Sequence, residues 1–210
     1  MVSVDKISNL IDNWEKRNII GLYFNDRKEA QAKILESIPY SASVGISGSQ
    51  TLENLEIVKK IEERGGEVFN QYKPAITREE SLELRRSGAG ADYYLASANA
   101  VSLSGELVFF SAYGNRTAGI SNAKNVIIVC GINKLTDNLE EAIKRAREYA
   151  TPLNCKRLNW SSACIKDGIC RKEICLSPEY KRMCCQILIV EAEVAPERLK
   201  VVLVGEDLGF

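Results

Sequence analysis

Histidine is absent from all 210 residues of the sequence. Serine and cysteine nucleophiles that depend on a histidine base are therefore excluded within this chain. Histidine ligands to a metal are excluded as well. Any acid–base chemistry must come from Asp, Glu, Lys, Tyr or Cys side chains.

Long apolar runs and an excess of one charge are also missing. Because no stretch approaches about 18 continuous apolar residues, no membrane-spanning helix is expected. Residues 1–6 lack the apolar core of a signal peptide, which predicts a cytoplasmic protein. The 28 basic and 28 acidic side chains cancel, whereas a nucleic-acid groove needs a basic excess. Nucleic acid is therefore not an expected partner.

Short apolar segments alternate with helical patterns along most of the chain. Apolar residues make up 45%, enough for the core of one domain of this length. We predict an α/β fold with a mainly parallel sheet flanked by helices. A helix is predicted to begin at Asp137, with Glu140 completing its cap, and to end before Pro152. The main predicted strands are 19–24, 43–46, 93–96 and 126–130, with a hairpin at 101–110.

The pattern changes near residue 153. Residues 1–153 are predicted to form an α/β ligand-binding core. Residues 154–186 have little periodicity and many cysteines, and are predicted to be a metal-binding segment. Residues 187–210 contain two predicted strands that complete the same domain.

A glycine- and serine-rich turn follows the second predicted strand. Gly45 and Gly48 let the backbone approach an anion, and a helix follows them. Ser47, Ser49 and Thr51 add hydroxyl donors. The turn is predicted to bind a phosphate or carboxylate, although a plain strand-to-helix turn capped by Ser49 or Thr51 fits equally well. It matches neither a dinucleotide fingerprint nor a Walker loop.

Two later loops add polar side chains that could reach the same rim. Asn99 follows a strand, Asn115 follows a turn glycine, and Arg116 can hold a carboxylate or phosphate with two hydrogen bonds. Glu106 and Asp92 are weaker candidates for a catalytic acid or base. The alternative is that these polar side chains only satisfy loop backbone or lie on the surface.

Four cysteines in the late irregular segment are the candidate metal ligands. Cys164, Cys170, Cys175 and Cys184 are separated by five, four and eight residues. A segment with so little core of its own can be folded by a bound metal. Four thiolates suit zinc or an iron–sulfur cluster, and the sequence does not decide between them. In the alternative interpretation, all of these cysteines are free thiols.

The remaining cysteines are less informative. Cys130 lies in an apolar strand and is predicted to be a buried core thiol. The roles of Cys155 and Cys185 are left open, because either could be a spare ligand or a redox thiol.

Several stretches together resemble the lactate-utilisation (LUD) family, formerly a domain of unknown function. The resemblance covers nearly the whole chain and is specific in combination rather than in any one motif. The matching stretches are 44–52, 91–95 with 98–100, 105–108, 114–116, 129–134, 150–154 and 204–210.

The resemblance implies a fold similar to ribose-5-phosphate isomerase, glucosamine-phosphate deaminase and CoA transferases, with the ligand at the glycine turn. It also implies a link to oxidation of lactate to pyruvate, beside iron–sulfur protein partners. The chain resembles the cysteine-bearing branch, whose usual spacing is near C-x5-C-x2-C-x6-C. Here the last two gaps, to Cys175 and Cys184, are longer.

Three functions follow as hypotheses. The first is a subunit or accessory protein of lactate oxidation that binds a small carboxylate and a cysteine-ligated metal centre. The second is a stand-alone enzyme acting on a sugar-phosphate or CoA-linked substrate. The third is a binding module in which zinc only holds the cysteine segment together. Whether the chain is catalytic alone, and whether it forms a homo-oligomer, is left open.

Overall fold

The computed structural model describes residues 3–210, which form two sheets and the helices packed around them. The strands are β1 Ile20–Phe24, β2 Val44–Ile46, β3 Val68–Phe69, β4 Tyr93–Ala96, β5 Ala100–Ser102, β6 Leu107–Ser111, β7 Asn125–Gly131, β8 Leu135–Thr136, β9 Gln186–Val190 and β10 Leu199–Val204. The helices are α1 Val4–Glu15, α2 Arg27–Ser37, α3 Gln50–Asn54, α4 Ile57–Glu63, α5 Arg78–Ala89, α6 Asn115–Asn122, α7 Leu139–Arg145 and α8 Thr151–Arg157.

The larger sheet has six strands in the order β1-β10-β7-β4-β2-β3, and all of its neighbours are parallel. The prediction of a mainly parallel sheet flanked by helices is therefore confirmed. The long strand β7 lies inside the sheet between β10 and β4, as its continuous apolar sequence indicates. The last strand, β10, inserts between β1 and β7 and joins the N-terminal end of the chain to the centre of the sheet.

Side chains of β7 alternate between two cores, one on each face of the sheet. Ile128 packs in the core that contains Trp14 of α1. Its neighbour Ile127 packs in the core that contains Ile34 of α2 and Ile57 of α4. Successive side chains of a strand point to opposite faces, so one apolar strand stabilises both layers of helices.

The smaller sheet has the order β8-β5-β6-β9 and contains the predicted hairpin, β5–β6. Strand β9 pairs antiparallel with β6, from Leu107 opposite Val190 to Ser111 opposite Gln186. The two predicted strands after the cysteines thus join different sheets. Because β9 pairs with β6, it carries the end of the cysteine segment back to the body of the protein.

The predicted end of a helix at Pro152 is wrong. Helix α7 continues through one wide turn, residues 146–150, directly into α8, and Pro152 lies in the first turn of α8. In the wide turn, the backbone N–H and the hydroxyl of Thr151 both bond to the Ala146 carbonyl, the hydroxyl at 2.7 Å. Pro152 has no backbone N–H to donate. Because Thr151 already satisfies the Ala146 carbonyl, the helix loses no regular hydrogen bond at the proline. The N-cap of α7 is Asn138 rather than Asp137.

The helix predicted to follow the glycine turn is also interrupted. It forms two short helices, α3 and α4, separated at Glu56, whose φ of 50° lies in the left-handed region. None of the helices described by the structure is long and apolar enough to cross a membrane.

Candidate functional site

Three adjacent strands of the parallel sheet end at the same rim. The segments that follow β2, β4 and β7 carry, in turn, the glycine turn, the loop with Ser97 and Asn99, and the turn with Lys134. Carboxyl ends of neighbouring parallel strands are the usual position of ligand sites in open α/β sheets. The predicted glycine turn is therefore part of a larger polar site.

At this rim lies a cavity of about 40 Å³, here called the inner cavity. Because one water needs roughly 10–15 Å³ by this measure, the cavity has room for a small anion or a few water molecules. Most residues around it have polar or cationic side chains, among them Thr51, Ser97, Asn99, Arg116 and Lys134. Gly48, Ala98, Ala150 and Phe210 also line it.

Lys134 is a buried cation at the base of the inner cavity, with 4% of its surface exposed. Its ammonium donates to Thr51 Oγ1 at 2.9 Å, Ser97 Oγ at 2.7 Å and the Ala98 carbonyl at 3.1 Å. Burial, with the nearby Arg145 and Arg116 charges adding to it, lowers the pKa of Lys134 from 10.5 to about 8. The hydrogen bonds are satisfied, but the positive charge has only neutral partners.

Arg116 lies at the mouth of the inner cavity. Its guanidinium donates to Asn99 Oδ1 at 2.9 Å, to the Phe110 carbonyl at 3.0 Å and to the Gly48 carbonyl at 3.0 Å. A longer contact of 3.4 Å reaches Ser47 Oγ. Burial lowers the pKa of Arg116 as well. These bonds connect α6 to the glycine turn and hold the side chain in one position.

A third cation, Arg145 of α7, lies behind Asn99. It donates to the Asn99 carbonyl at 2.6 Å and to the Asn133 carbonyl at 2.8 Å. Within residues 3–210, neither Arg116, Lys134 nor Arg145 has a carboxylate partner within 4.0 Å. Burying unpaired charge costs several kcal/mol in proteins. A bound anion would offset that cost.

The inner cavity opens into a larger space of about 300 Å³, here called the outer cleft. The two share Gly48, Asn99, Arg116 and Asn154. The outer cleft is lined further out by Tyr72, Tyr113 and Trp160. No Asp or Glu side chain in the described part of the chain lines either space.

Seven of the eight predicted anion-binding residues line these two spaces: Ser47, Gly48, Ser49, Thr51, Asn99, Asn115 and Arg116. The exception is Gly45, which lies inside β2, where an added Cβ would come within 2.0 Å of the Gly88 carbonyl oxygen of α5. Its glycine identity is explained by helix packing. Gly48 is different, because its N–H donates to the Tyr72 hydroxyl at 2.8 Å and a Cβ there would meet that ring.

The two candidate catalytic carboxylates lie away from both spaces. Asp92 precedes β4, at the opposite end of the strand from the cleft. It accepts hydrogen bonds from Ser43 and from Lys124, and these bonds lower the pKa of its carboxyl. Its catalytic role stays a prediction, and its contacts are those of a residue that joins β2 to β4.

Glu106 lies at the β5–β6 turn. Arg17, at the end of α1, contacts its carboxylate at 2.9 Å, and Ser104 donates to it at 2.7 Å. Partial burial acts to raise the pKa of Glu106, but hydrogen bonds from Ser104 and Ser102 and the Arg17 charge lower it overall. Its position connects helix α1 to the hairpin, and its catalytic role also stays a prediction.

The cysteine segment folds around a third, very small space of about 10 Å³, here called the thiol cavity. All four predicted ligands line it, and Cys155 of α8 lines it as a fifth. Several sulfurs are fixed by neighbours: Cys164 Sγ lies 3.3 Å from Ser162 Oγ, and Cys175 Sγ accepts from the Ala163 N–H at 3.4 Å. Tertiary folding thus brings together cysteines that are far apart in sequence.

The donor set fits a thiolate-bound metal, because soft sulfur ligands suit zinc or iron–sulfur centres. Burial raises the pKa of Cys170, and the nearby charge of Arg147, which also lines the thiol cavity, acts against that rise. Among residues 3–210, however, no group of three or more Cys, Asp or Glu side chains has the close arrangement that holds a metal ion. Metal binding at Cys164, Cys170, Cys175 and Cys184 therefore stays a prediction.

The other cysteines occupy distinct positions. Cys130 is fully buried in β7. Cys185 is exposed and does not line the thiol cavity, and its thiol donates to the Arg182 carbonyl at 3.0 Å. Cys155 lies 3.8 Å from the Met183 sulfur, and burial beside other cysteines raises its pKa to about 12.

Sequence reasoning did not single out Lys134, Ser97, Trp160 or Tyr72 as site residues. One signal was available for Lys134: it follows the most apolar strand almost directly, so it had to lie at that strand's carboxyl end. Ser97 follows the neighbouring strand in the same way. Tyr72 follows the short strand β3 in the same way, whereas Trp160 comes from a segment without a strand pattern.

Comparison with known proteins found similar solved structures. A crystal structure of a DUF162 family protein from Deinococcus radiodurans matches with a TM-score of 0.53 and 12% identity, over 97% of this chain and 99% of that one. Ribose 5-phosphate isomerase A from Methanocaldococcus jannaschii matches with a TM-score of 0.36 and 17% identity, over 55% of this chain and 56% of that one. The isomerase from Neisseria gonorrhoeae gives 0.35 and 13%, over 54% of each chain. No curated protein matches the sequence.

The family model of the LUD domain matches residues 7–204, which is nearly the whole chain. The match includes the glycine turn, the loop with Asn99, Arg116, Lys134 and the cysteine segment. The chain belongs to the LUD domain family.

Proposed function

We propose that this protein is a subunit or accessory protein of lactate oxidation, which binds a small carboxylate in the inner cavity. Membership of the LUD family supports a function related to lactate utilisation. The observation that carries the proposal is the group formed by the buried Lys134 and the partly buried Arg116 and Arg145, none of which pairs with an acidic side chain among the described residues. A carboxylate would supply the missing negative charge.

The size and donors of the inner cavity favour a small hydroxy acid. About 40 Å³ accepts only a few non-hydrogen atoms beyond a carboxylate. Arg116 would bind the carboxylate, and the hydroxyls of Thr51 and Ser97, already bonded to Lys134, lie where they could bond the substrate hydroxyl.

Oxidation of lactate to pyruvate removes two electrons and two protons, one proton from the carbon that bears the hydroxyl and one from the hydroxyl itself. The electrons would leave to an iron–sulfur protein partner, and the protons to solvent. In this proposal the chain's own residues bind and orient the acid. The outer cleft and the thiol cavity share Thr151 and Met183, so the proposed metal centre would lie one side chain away from the outer cleft.

Calorimetric titration of L-lactate, pyruvate and inorganic phosphate tests the anion site. We expect the carboxylates to bind, and Arg116→Gln to weaken binding at least tenfold, because a charge-assisted pair is lost. Arg86→Gln is the matched control, since Arg86 is an exposed arginine paired with Glu83. No binding of any small carboxylate would overturn the proposal. Binding of ribose 5-phosphate or a CoA thioester alone would favour the stand-alone enzyme instead.

The cysteine centre needs a separate experiment. We propose that Cys164, Cys170, Cys175 and Cys184 hold the metal, with Cys155 as a fifth thiol beside them. Metal analysis and a visible spectrum of protein purified without oxygen should show an iron–sulfur centre. Cys170→Ser should lower the metal content, whereas Cys185→Ser should not, because Cys185 lies outside the thiol cavity. A colourless protein with one zinc would instead indicate a structural site.

A further inference from the structure

The outer cleft is far larger than a hydroxy acid needs. Its volume of about 300 Å³ compares with about 40 Å³ for the inner cavity. Pockets that hold drug-sized ligands begin at roughly 300 Å³. Because the two spaces share Gly48, Asn99 and Arg116, one ligand can extend from the inner cavity into the outer cleft.

The outer cleft has aromatic walls that are held in place. The rings of Tyr113 and Trp160 meet edge to face, with centroids 5.9 Å apart and an interplanar angle of 83°. The indole N–H of Trp160 donates to the Lys181 carbonyl at 2.7 Å, which fixes the ring against the cysteine segment. Tyr72 is positioned on the other side by its bond from Gly48. Fixed aromatic surfaces bind planar rings by stacking.

Cations continue along the same walls. The guanidinium of Arg85 lies 4.3 Å from the centroid of the Tyr113 ring, and its buried Nε has no hydrogen-bond partner. Arg157 also lines the outer cleft. The ligand that matches this surface has an anionic group at one end, a planar ring at the other and partial negative charge along its length.

We propose that the outer cleft binds the planar heteroaromatic ring of a phosphorylated, nucleotide-sized ligand whose phosphate lies beside Arg116 and Lys134. This inference rests on the proposed anion site, in which the phosphate would take the place of the small carboxylate, so that the two ligands would compete for it. A ring on the Trp160 side would contact Met183, whose sulfur is 3.8 Å from Cys155 Sγ. Flavin mononucleotide is the first probe because it joins a planar heteroaromatic ring to a phosphate. AMP is the second probe because its ring has a different shape.

The test compares four ligands by calorimetry: flavin mononucleotide, AMP, riboflavin and inorganic phosphate. We expect each nucleotide to bind at least tenfold tighter than inorganic phosphate, because phosphate lacks the ring. We expect flavin mononucleotide to bind at least tenfold tighter than riboflavin, because riboflavin lacks the anion. Quenching of Trp160 fluorescence should accompany binding of the nucleotides but not of phosphate. Trp14 is fully buried in the core and provides a constant background.

Tyr113→Ala should weaken binding of the nucleotides about tenfold and leave phosphate binding unchanged, and Tyr113→Phe should restore the affinity. The matched control is Tyr40→Ala, because Tyr40 is also an exposed tyrosine under an arginine, Arg64, at 4.7 Å. Tyr113 itself is 61% exposed, so its loss should leave the fold intact.

Two outcomes would overturn the inference. If nucleotides bind no tighter than phosphate, the proposed ring site is wrong, whereas the proposed anion site is not contradicted. If nucleotides bind tightly and Tyr113→Ala does not weaken their affinity, their ring binds elsewhere. If neither phosphate, lactate nor any nucleotide binds, the proposed anion site fails together with the extension built on it.

Discussion

Lys134 illustrates at the scale of one residue how charge and burial are balanced. Its ammonium is buried, and its pKa is lowered to about 8, mainly by burial. The folded protein therefore binds fewer protons there than the unfolded chain between about pH 8 and 10.5. The free energy of unfolding should rise with pH across that window, because the charge that is costly to bury is lost.

Replacing Lys134 by Met should stabilise the protein and abolish its anion site. We expect the free energy of unfolding at pH 7 to rise by about 1–3 kcal/mol, since the cost of burying a charge exceeds the loss of its hydrogen bonds. Urea unfolding measures this, and Lys33→Met, at an exposed lysine, should change stability by less than about 0.5 kcal/mol. If Lys134→Met is less stable than the parent, Lys134 stabilises the fold.

Glu106 allows the opposite test, of a candidate catalytic residue whose contacts are structural. Glu106→Gln should lower the free energy of unfolding by about 1 kcal/mol, because the ion pair with Arg17 is lost. The pKa of Glu106 is lowered in the folded state, so its stabilisation is present above the unfolded pKa and lost as pH falls through the folded pKa. Unfolding curves at neutral and acidic pH should show the difference between parent and variant only at neutral pH.

Anion binding is the control for Glu106→Gln. We expect the affinity for lactate to remain within about twofold of the parent, since Glu106 lines neither the inner cavity nor the outer cleft. If Glu106→Gln has normal stability but a large loss of binding or turnover, Glu106 has a catalytic role.

At the scale of elements, α5 packs directly over β2 at a pair of glycines. A Cβ on Gly45 would lie 2.0 Å from the Gly88 carbonyl oxygen and 2.8 Å from the Tyr94 ring. Gly45→Ala should therefore displace α5 and lower the free energy of unfolding by about 2–3 kcal/mol. Thermal and urea unfolding measure the loss. Gly90→Ala is the matched control, because its nearest neighbour would be 3.9 Å away. A stable Gly45→Ala variant that no longer binds anions would instead support the predicted ligand role.

Most elements could be predicted because their patterns are local. Helix α1 shows helical spacing of Ile7, Leu10 and Trp14, all of which are buried. Strand β7 shows continuous apolar character, and it is buried on both faces. The α7–α8 junction was not predictable in this way, since Pro152 is normally read as a helix end. The wide turn that accommodates it depends on the hydrogen bonds of Thr151, which only the folded helix reveals.

At the scale of the whole molecule, the anion site is assembled from segments that are distant in sequence. Gly48, Asn99, Arg116 and Lys134 follow or flank different elements and meet only because β2, β4 and β7 are neighbours in the sheet. Burial lowers the pKa of Lys134, and the charges of the partly buried Arg145 and Arg116 add to that effect. The binding strength of the site is therefore a property of the assembled protein.

This coupling predicts how anion binding depends on pH. Affinity for lactate should fall by up to about tenfold as pH rises from 7 to 9, because Lys134 loses its proton near pH 8 and no longer attracts the carboxylate. Calorimetric titration across that range in parent and Lys134→Met measures the effect. The variant should show a flat profile at low affinity. A flat profile in the parent would mean that Lys134 takes no part in binding.

The sequence by itself determined the layers of the fold, the family and the clustering of cysteines. These depend on local apolar periodicity and on short motifs, which the order of residues contains directly. Only the tertiary structure decided which charged residues are buried, and it placed both candidate carboxylates away from the cleft. Burial depends on strand order and on how helices cover the sheet, so the chain alone does not show that Lys134 lies inside while Asp92 and Glu106 hold other elements together.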